Sequence, residues 1–217
     1  MKERLTRLVT PERLARIEAL LAAKQPCLQI FLDDVHDSRN MSAVIRTADA
    51  VGVLDIFYAR NNPQHVPVHT LVTQGAHRWL RRHRIPYEER AEFLRKKREE
   101  GMQIVVTHLE EASLDFRDVD YTRPTMLVLG NEREGVSPEV LAEASHSVII
   151  PMHGMVQSLN ISVAAALILY EAERQRKAAG YYEEARMPEP ERRALLEEWL
   201  RRDTLVRRSK GRVRVIE

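Results

Sequence analysis

Five short apolar runs recur along this chain, each about the length of one buried strand: LQIFL (28–32), LDIFYA (54–59), QIVVTHL (103–109), TMLVLG (125–130) and SVIIP (147–151). Stretches of helical character separate and flank them. Residues 11–24 are amphipathic, with Pro11 fit for a first helical turn and Pro26 just past the end. A second helix begins near Asn40 and ends by Gly52, and a charged one spans 87–100 before Gly101. The run ISVAAALILY (161–170) lacks any polar stripe, the mark of a helix buried all round. Residues 189–202 form the last helix and 203–217 a basic tail. Apolar runs alternating with helices predict an α/β fold, a parallel sheet covered by helices on both faces. Ligands of such sheets bind beyond the carboxyl ends of the strands.

Composition narrows the class. With 217 residues, 44% hydrophobic and 30% charged, the chain can bury a sizeable core. No apolar run reaches the roughly 18 residues of a membrane span, and MKERLTRLVTPERLARIEALL lacks the continuous apolar stretch expected of a secretory signal. A lone cysteine, Cys27, allows no internal disulfide, so a cytoplasmic location is expected. The expected organisation is a helical extension over 1–24, a main domain over 25–180, and a C-terminal helix with basic tail over 181–217. Residues 1–24 carry six basic and three acidic side chains, and 201–217 seven and two; those ends sum to +8 against +2 overall, leaving −6 between them. Such separation points to a polyanionic partner or, more blandly, to solvated helix faces. The stretch RWLRRHR (78–84) also has two readings, a phosphate grip with a stacking Trp79 or an edge strand guarded by charge.

Three segments carry candidate chemistry. In NMSAVIRTADAVG (40–52), Asn40 suits a helix cap, and Met41, Val44, Ile45, Ala48 and Val51 form the core-facing stripe. Ser42, Arg46 and Asp49 lie on the opposite face, so Arg46 either meets an anion near the helix start or pairs with Asp49. In LVLGNEREGVS (127–137) a strand ends at Gly130, followed by Glu132 and Gly135. Val136 stands where a P-loop needs lysine, and the dinucleotide spacing is absent. In HGMVQSLNISVAAALILY (153–170), a polar turn whose Ser158 or Asn160 can cap the helix runs into the apolar stretch. Free N–H groups beside apolar walls would suit an amphipathic small molecule such as an adenosine derivative; a buried helix with an ordinary cap is the plainer reading. Metal binding finds no support: His65 and His69 are separated by Pro67, which forbids a regular helix, and there is no CxxC pair.

Taken in order, the three segments resemble the SPOUT superfamily of RNA methyltransferases, in its TrmH-like 2′-O-ribose branch. The first motif is matched by Asn40, Ser42, Ala43, Arg46 and Thr47, the second by Gly130, Glu132 and Gly135, and the third by Ile150 through Ala164. The likeness extends over about residues 12–180; FRDVDYTRPT (116–125) and GMVQSLNISVA further resemble the tRNA enzymes that act on the D-loop guanosine at position 18. It departs at the ends, in 60–86, and at 36–39, where His-Asp-Ser-Arg precedes Asn40 without the proline common in the family.

The resemblance implies a SPOUT-type parallel sheet with a C-terminal trefoil knot and helical extensions at both ends. It implies S-adenosylmethionine held by Thr107, His108, Leu109, Gly130, Ile150, Met152, Ser158 and Leu159, and a homodimer with the apolar ISVAAALILY helix at its interface. The implied reaction moves a methyl group to a ribose 2′-hydroxyl of tRNA, with Arg46, Asn40, Glu132, Ser158 and Asn160 at the catalytic site. Basic side chains of the two ends, Arg7, Arg13, Arg16, Arg207, Arg208 and Lys210, would contact tRNA phosphates. Another tRNA position, ribosomal RNA, or a catalytically silent RNA-binding protein are the competing readings.

Overall fold

The computed structural model describes residues 9–62, 68–109 and 113–209, the last four of these by backbone alone. Two compact units divide the chain, Pro26–Gly180 and a smaller one drawn from Met1–Gln25 and Tyr181–Glu217.

The larger unit is built on seven parallel strands. They are β1 (Leu28–Asp33), β2 (Asp55–Ala59), β3 (Arg81–Ile85), β4 (Gln103–Thr107), β5 (Leu114–Asp115), β6 (Thr125–Leu129) and β7 (His146–Ile149), in the order β3-β2-β1-β6-β4-β7-β5. β6 is buried along its whole length and β1 along nearly all of it, which is why both read as unbroken apolar runs. The strand order reverses where β6 enters between β1 and β4, and a crevice at the carboxyl ends belongs there.

Helices cover both faces. α2 (Ser38–Ala50) and α6 (Ile161–Ala178) pack against each other on one face, over Leu28, Ile30, Leu32 and Ile56. A one-turn helix α3 (Thr70–Thr73) and a 3-10 turn at Ala76–Arg78 also pack on α2. α4 (Arg90–Glu99) and α5 (Pro138–Leu141) cover the other face, over Phe31, Ile104, Val106, Met126 and Val128.

Several expectations are corrected. α2 starts at Ser38 and is capped by Asp37, whose Oδ1 accepts the N–H groups of Arg39 at 2.7 Å and Asn40 at 3.4 Å; Asn40 lies within the first turn. Ser42 does not face water: α3 and its entry segment cover it, and its Oγ accepts the His69 N–H at 3.0 Å. α6 is not buried all round. Ala165, Ile168, Leu169 and Ala172 are, but Val163, Leu167 and Tyr170 are 47, 42 and 53% exposed, because a helix lying on a sheet turns only one side inward. Just before α5, the Ser137 hydroxyl turns away from the helix and donates to buried Asp33 at 2.8 Å. β3 is an edge strand, and β5, too short to show in the sequence, is the other edge.

In the smaller unit α1 (Pro11–Ala22), with Thr10 as cap, packs on α7 (Glu189–Ser209). α7 continues past 202 because Asp203 and Thr204 are buried; Asp203 receives the Arg13 guanidinium at 2.7 and 3.3 Å.

Tyr121 is 1% exposed, and its hydroxyl finds no hydrogen-bond partner among the described residues. Burial pushes its pKa up, so the hydroxyl stays protonated and its desolvation goes uncompensated. Tyr121→Phe is expected to stabilise the protein by about 1 kcal/mol, raising Tm by roughly 3 °C in a thermal melt. A lower Tm would show that the hydroxyl has a partner.

Candidate active site

The carboxyl ends of β1, β4, β6 and β7 open on a cavity of about 1320 Å³. A pocket for one drug-sized ligand occupies roughly 300–1,000 Å³, so this one has room for a nucleoside cofactor beside a substrate nucleotide. Thr107, His108, Leu109, Gly130, Ile150, Met152, Ser158 and Leu159 all line it, as do Asn40, Glu132 and Asn160.

Its floor depends on a residue without a side chain. A Cβ at Gly130 would run into the Gly135 carbonyl and the Val136 nitrogen. The turn folds back this tightly because Asn131 and Gly135 exchange two backbone hydrogen bonds, at 2.8 and 2.9 Å, with Gly135 at φ 74°. Asn131 secures the turn from both ends of its amide. Oδ1 accepts the Arg133 and Glu134 N–H groups, and Nδ2 donates to the Asp34 carbonyl at 3.0 Å. The loop's far end is tied to β1, where Asp33 accepts the Ser137 N–H at 2.9 Å and hydroxyl at 2.8 Å. Asn131 was not singled out from the sequence, although an Asn after a strand-ending Gly is a turn signal.

One hydrogen-bonded chain joins the three motif segments. Asn160 caps α6, its Oδ1 accepting the Ser162 N–H at 2.8 Å and hydroxyl at 2.6 Å. Its Nδ2 donates to Asn40 Oδ1 at 3.1 Å, and Asn40 Nδ2 donates to Glu132 Oε1 at 3.0 Å. The Glu132 carboxylate also faces the backbone N–H groups of His36 and Asp37, both at 3.4 Å. Each amide both gives and receives, so its orientation is fixed. Ser158 lines the cavity with no hydrogen bond of its own among the described residues.

Arg46 is not brought to this group. It is exposed, lies outside the cavity lining, and donates to the Val72 carbonyl at 3.4 Å. Helix geometry gives the reason: six residues beyond Asn40 is about 9 Å along the axis and about 240° around it. Among the terminal arginines, Arg16 is exposed and Arg13 is held by Asp203. Arg207 and Arg208 lie on α7, where the backbone alone is described, and Arg7 and Lys210 lie outside the described residues, as does His65. No cluster of metal-ligating side chains occurs among the described residues, and no helix there is long and apolar enough to cross a membrane.

The SpoU rRNA Methylase family model matches residues 27–170. The chain belongs to this family. A relative in Aquifex aeolicus, called tRNA (guanosine(18)-2′-O)-methyltransferase, is 42% identical over 94% of this chain and 95% of its own. A crystal structure of the A. aeolicus TrmH/SpoU tRNA modifying enzyme superposes with a TM-score of 0.84 at 42% identity, covering 88% of this chain and 96% of that one. An AdoMet-bound rRNA methyltransferase from Sinorhizobium meliloti matches with a TM-score of 0.61 at 33% identity, over 70% of this chain and 60% of that one. The family match spans nearly all of the Pro26–Gly180 unit, and every residue of the Asn160–Asn40–Glu132 chain falls inside it. In this SpoU methylase the cavity is therefore the site on which the family's chemistry must be sought.

Proposed function

We propose that this SpoU methylase is a tRNA (guanosine-18-2′-O)-methyltransferase that takes its methyl group from S-adenosylmethionine. The observation that carries the reading is the convergence of all three motif segments on one cavity at the strand carboxyl ends. Likeness over nearly the full length to the A. aeolicus tRNA enzyme supports tRNA as substrate and position 18 as target. A cytoplasmic location goes with that substrate.

The cavity fits the cofactor. Leu129, Ile150, Leu159, Ile161 and Ala164 provide apolar wall for an adenine ring, while the bare backbone at Gly130 allows the close approach a side chain would block. S-adenosylmethionine, when bound, supplies a methyl group on a positively charged sulfur. The protein's own part is alignment and charge. Asn40, held between Asn160 and Glu132, orients the ribose; Ser158, with its hydroxyl uncommitted, shapes the loop around it. The Arg46 guanidinium, with a pKa above about 12, is no base. It grips the adjacent phosphate bidentately and stabilises the developing alkoxide, while the proton leaves to phosphate or water.

Because Arg46 stands off its own protomer's cavity, the proposal includes a homodimer in which Arg46 serves the neighbouring copy. The exposed stripe Val163, Leu167 and Tyr170 on α6 supports that interface. The trefoil knot also belongs here, supported by β4 lying between β6 and β7 with the loops after both lining the cavity. In the division of labour proposed, residues 25–180 carry the chemistry while 1–24 and 181–217 hold tRNA phosphates through Arg7, Arg16, Arg207, Arg208 and Lys210. Arg13 instead serves the internal pair with Asp203.

The test is incubation with labelled S-adenosylmethionine and an unmodified tRNA transcript, followed by mass-spectrometric nucleotide mapping. Label is expected on the ribose of the position-18 guanosine. Label at another nucleotide, or on ribosomal RNA alone, would replace the target; RNA binding without transfer would make this a silent RNA-binding protein.

A further inference from the structure

The edge strand β3 treats its four basic side chains unequally. Arg81 and His83 lie on the face of α4. There Arg81 makes two hydrogen bonds of 2.8 Å to the 6%-exposed Asp55, and His83 makes a third at 2.7 Å while stacking on Phe57 with centroids 4.7 Å apart. These two are accounted for by the buried carboxylate. Arg82 and Arg84 project from the opposite face, the one carrying α2 and α3; they are exposed and make no hydrogen bond or ion pair among the described residues. Guarding a sheet edge requires charge at the rim, which one exposed arginine would supply. Two, alternating along one side, make a row.

The row's position ties it to the reaction. Strand register sets Asp33, Ala59 and Ile85 side by side, so Arg84 sits one residue short of the sheet's carboxyl edge, where Asp34 begins the cavity lining. Two strand spacings, about 10 Å, separate β3 from β1. Arg82 and Arg84 are themselves about 6.6 Å apart along the strand, close to the spacing of successive phosphates in a nucleic-acid strand. Arg46 lies on the same side of the sheet, bonded to α3, and α3 packs on the 3-10 turn that leads into β3. We infer that Arg82 and Arg84 bind two successive phosphates of the substrate RNA beside the reactive nucleotide, as a phosphate contact of the larger unit itself. The inference rests on the proposed RNA substrate.

Trp79 does not complete a base-stacking platform: it is half-buried, with the Arg78 guanidinium 5.9 Å from its ring centroid. The contact is therefore one of charge, and it should depend on salt rather than on sequence.

The test compares the full-length protein with R82Q/R84Q and with R95Q/K96Q, an equal change of charge on α4 at the opposite face. Binding of a tRNA transcript is measured from 50 to 300 mM salt, alongside methyl-transfer kinetics. R82Q/R84Q is expected to bind tRNA about tenfold more weakly near 0.1 M salt, and the slope of log K against log salt should fall by about 1.5, for two phosphates. KM for tRNA should rise in step, with S-adenosylmethionine affinity as in wild type. R95Q/K96Q should match wild type throughout. Unchanged affinity and slope in R82Q/R84Q would reduce the row to an edge guard, and equal losses in both variants would reduce it to net charge. If the wild-type protein neither binds nor methylates RNA, the functional reading itself falls; methylation by wild type with an unaffected R82Q/R84Q overturns this inference alone.

Discussion

Arg46→Ala is expected to abolish methyl transfer to tRNA while leaving S-adenosylmethionine binding, followed calorimetrically, as in wild type. The side chain is exposed, and its one hydrogen bond among the described residues is a long one to a carbonyl. Its removal should therefore cost the fold no more than about 0.5 kcal/mol, and lost activity can be read as lost chemistry. A guanidinium that holds the phosphate in two bonds and faces the developing oxyanion contributes about 10²–10³ in rate. Arg46→Lys should recover little of it, since an ammonium offers neither the fork nor its geometry. Turnover above about a tenth of wild type, a loss under about 1.4 kcal/mol, would remove Arg46 from the catalytic group. Mixing separates the two protomer arrangements. Co-expressed with Glu132→Ala, the Arg46→Ala chain should recover about a quarter of wild-type sites if the arginine serves the other subunit. No recovery would place it in its own.

Interior and edge differed in how well they could be read. β1, β4 and β6 announce themselves as apolar runs because strands buried on both faces admit little else; β2 and β7 are apolar enough to read as runs although they are only partly buried. β3, RRHRI, has no such run, and only the structure shows its alternation to be Asp55-bound on one face and open on the other. The residues expected to hold a cofactor form one spatial set, since each of them borders the same cavity. How the site residues are arranged was not legible in the sequence. Helical spacing put Ser42 on the outward face, where α3, itself too short to leave a pattern, covers it. The same spacing sets Arg46 about 240° around the helix from Asn40, an offset that grouping the two by motif leaves out of account. Local caps were shifted for a related reason: Asp37 and Asn40 are both good capping residues, and the choice between them is made by Glu132, which draws Asn40 into the site.

The last basic residues of α6 hid the largest structural surprise, and Arg176→Met is expected to lower Tm by roughly 10 °C, about 3 kcal/mol for a protein of this size. Near a helix end, an arginine ordinarily reads as a solvated charge favoured by the dipole. Arg176 is instead 1% exposed, its guanidinium donating to the carbonyls of Tyr121 at 2.9 Å, Arg123 at 3.0 Å and Cys27 at 3.1 Å. Those carbonyls belong to the segments entering β6 and β1, so the charge fastens the end of α6 to the amino edge of the sheet's two central strands. Gln175 adds to the clasp through the Tyr121 N–H at 2.8 Å and the Val119 carbonyl at 3.0 Å. Methionine preserves much of the side-chain volume but leaves three carbonyls without the donor that satisfied them, and each such bond to a charged group contributes about 1.5–3 kcal/mol before relaxation. Because the clasp sits at the sheet edge opposite the cavity, the variant should still methylate tRNA at near wild-type rate well below its Tm. A Tm change under about 3 °C would mean that water replaces the guanidinium at little cost. A loss of activity at low temperature, with the fold intact by circular dichroism, would mean that α6 transmits its seating on the sheet to Asn160 at its other end.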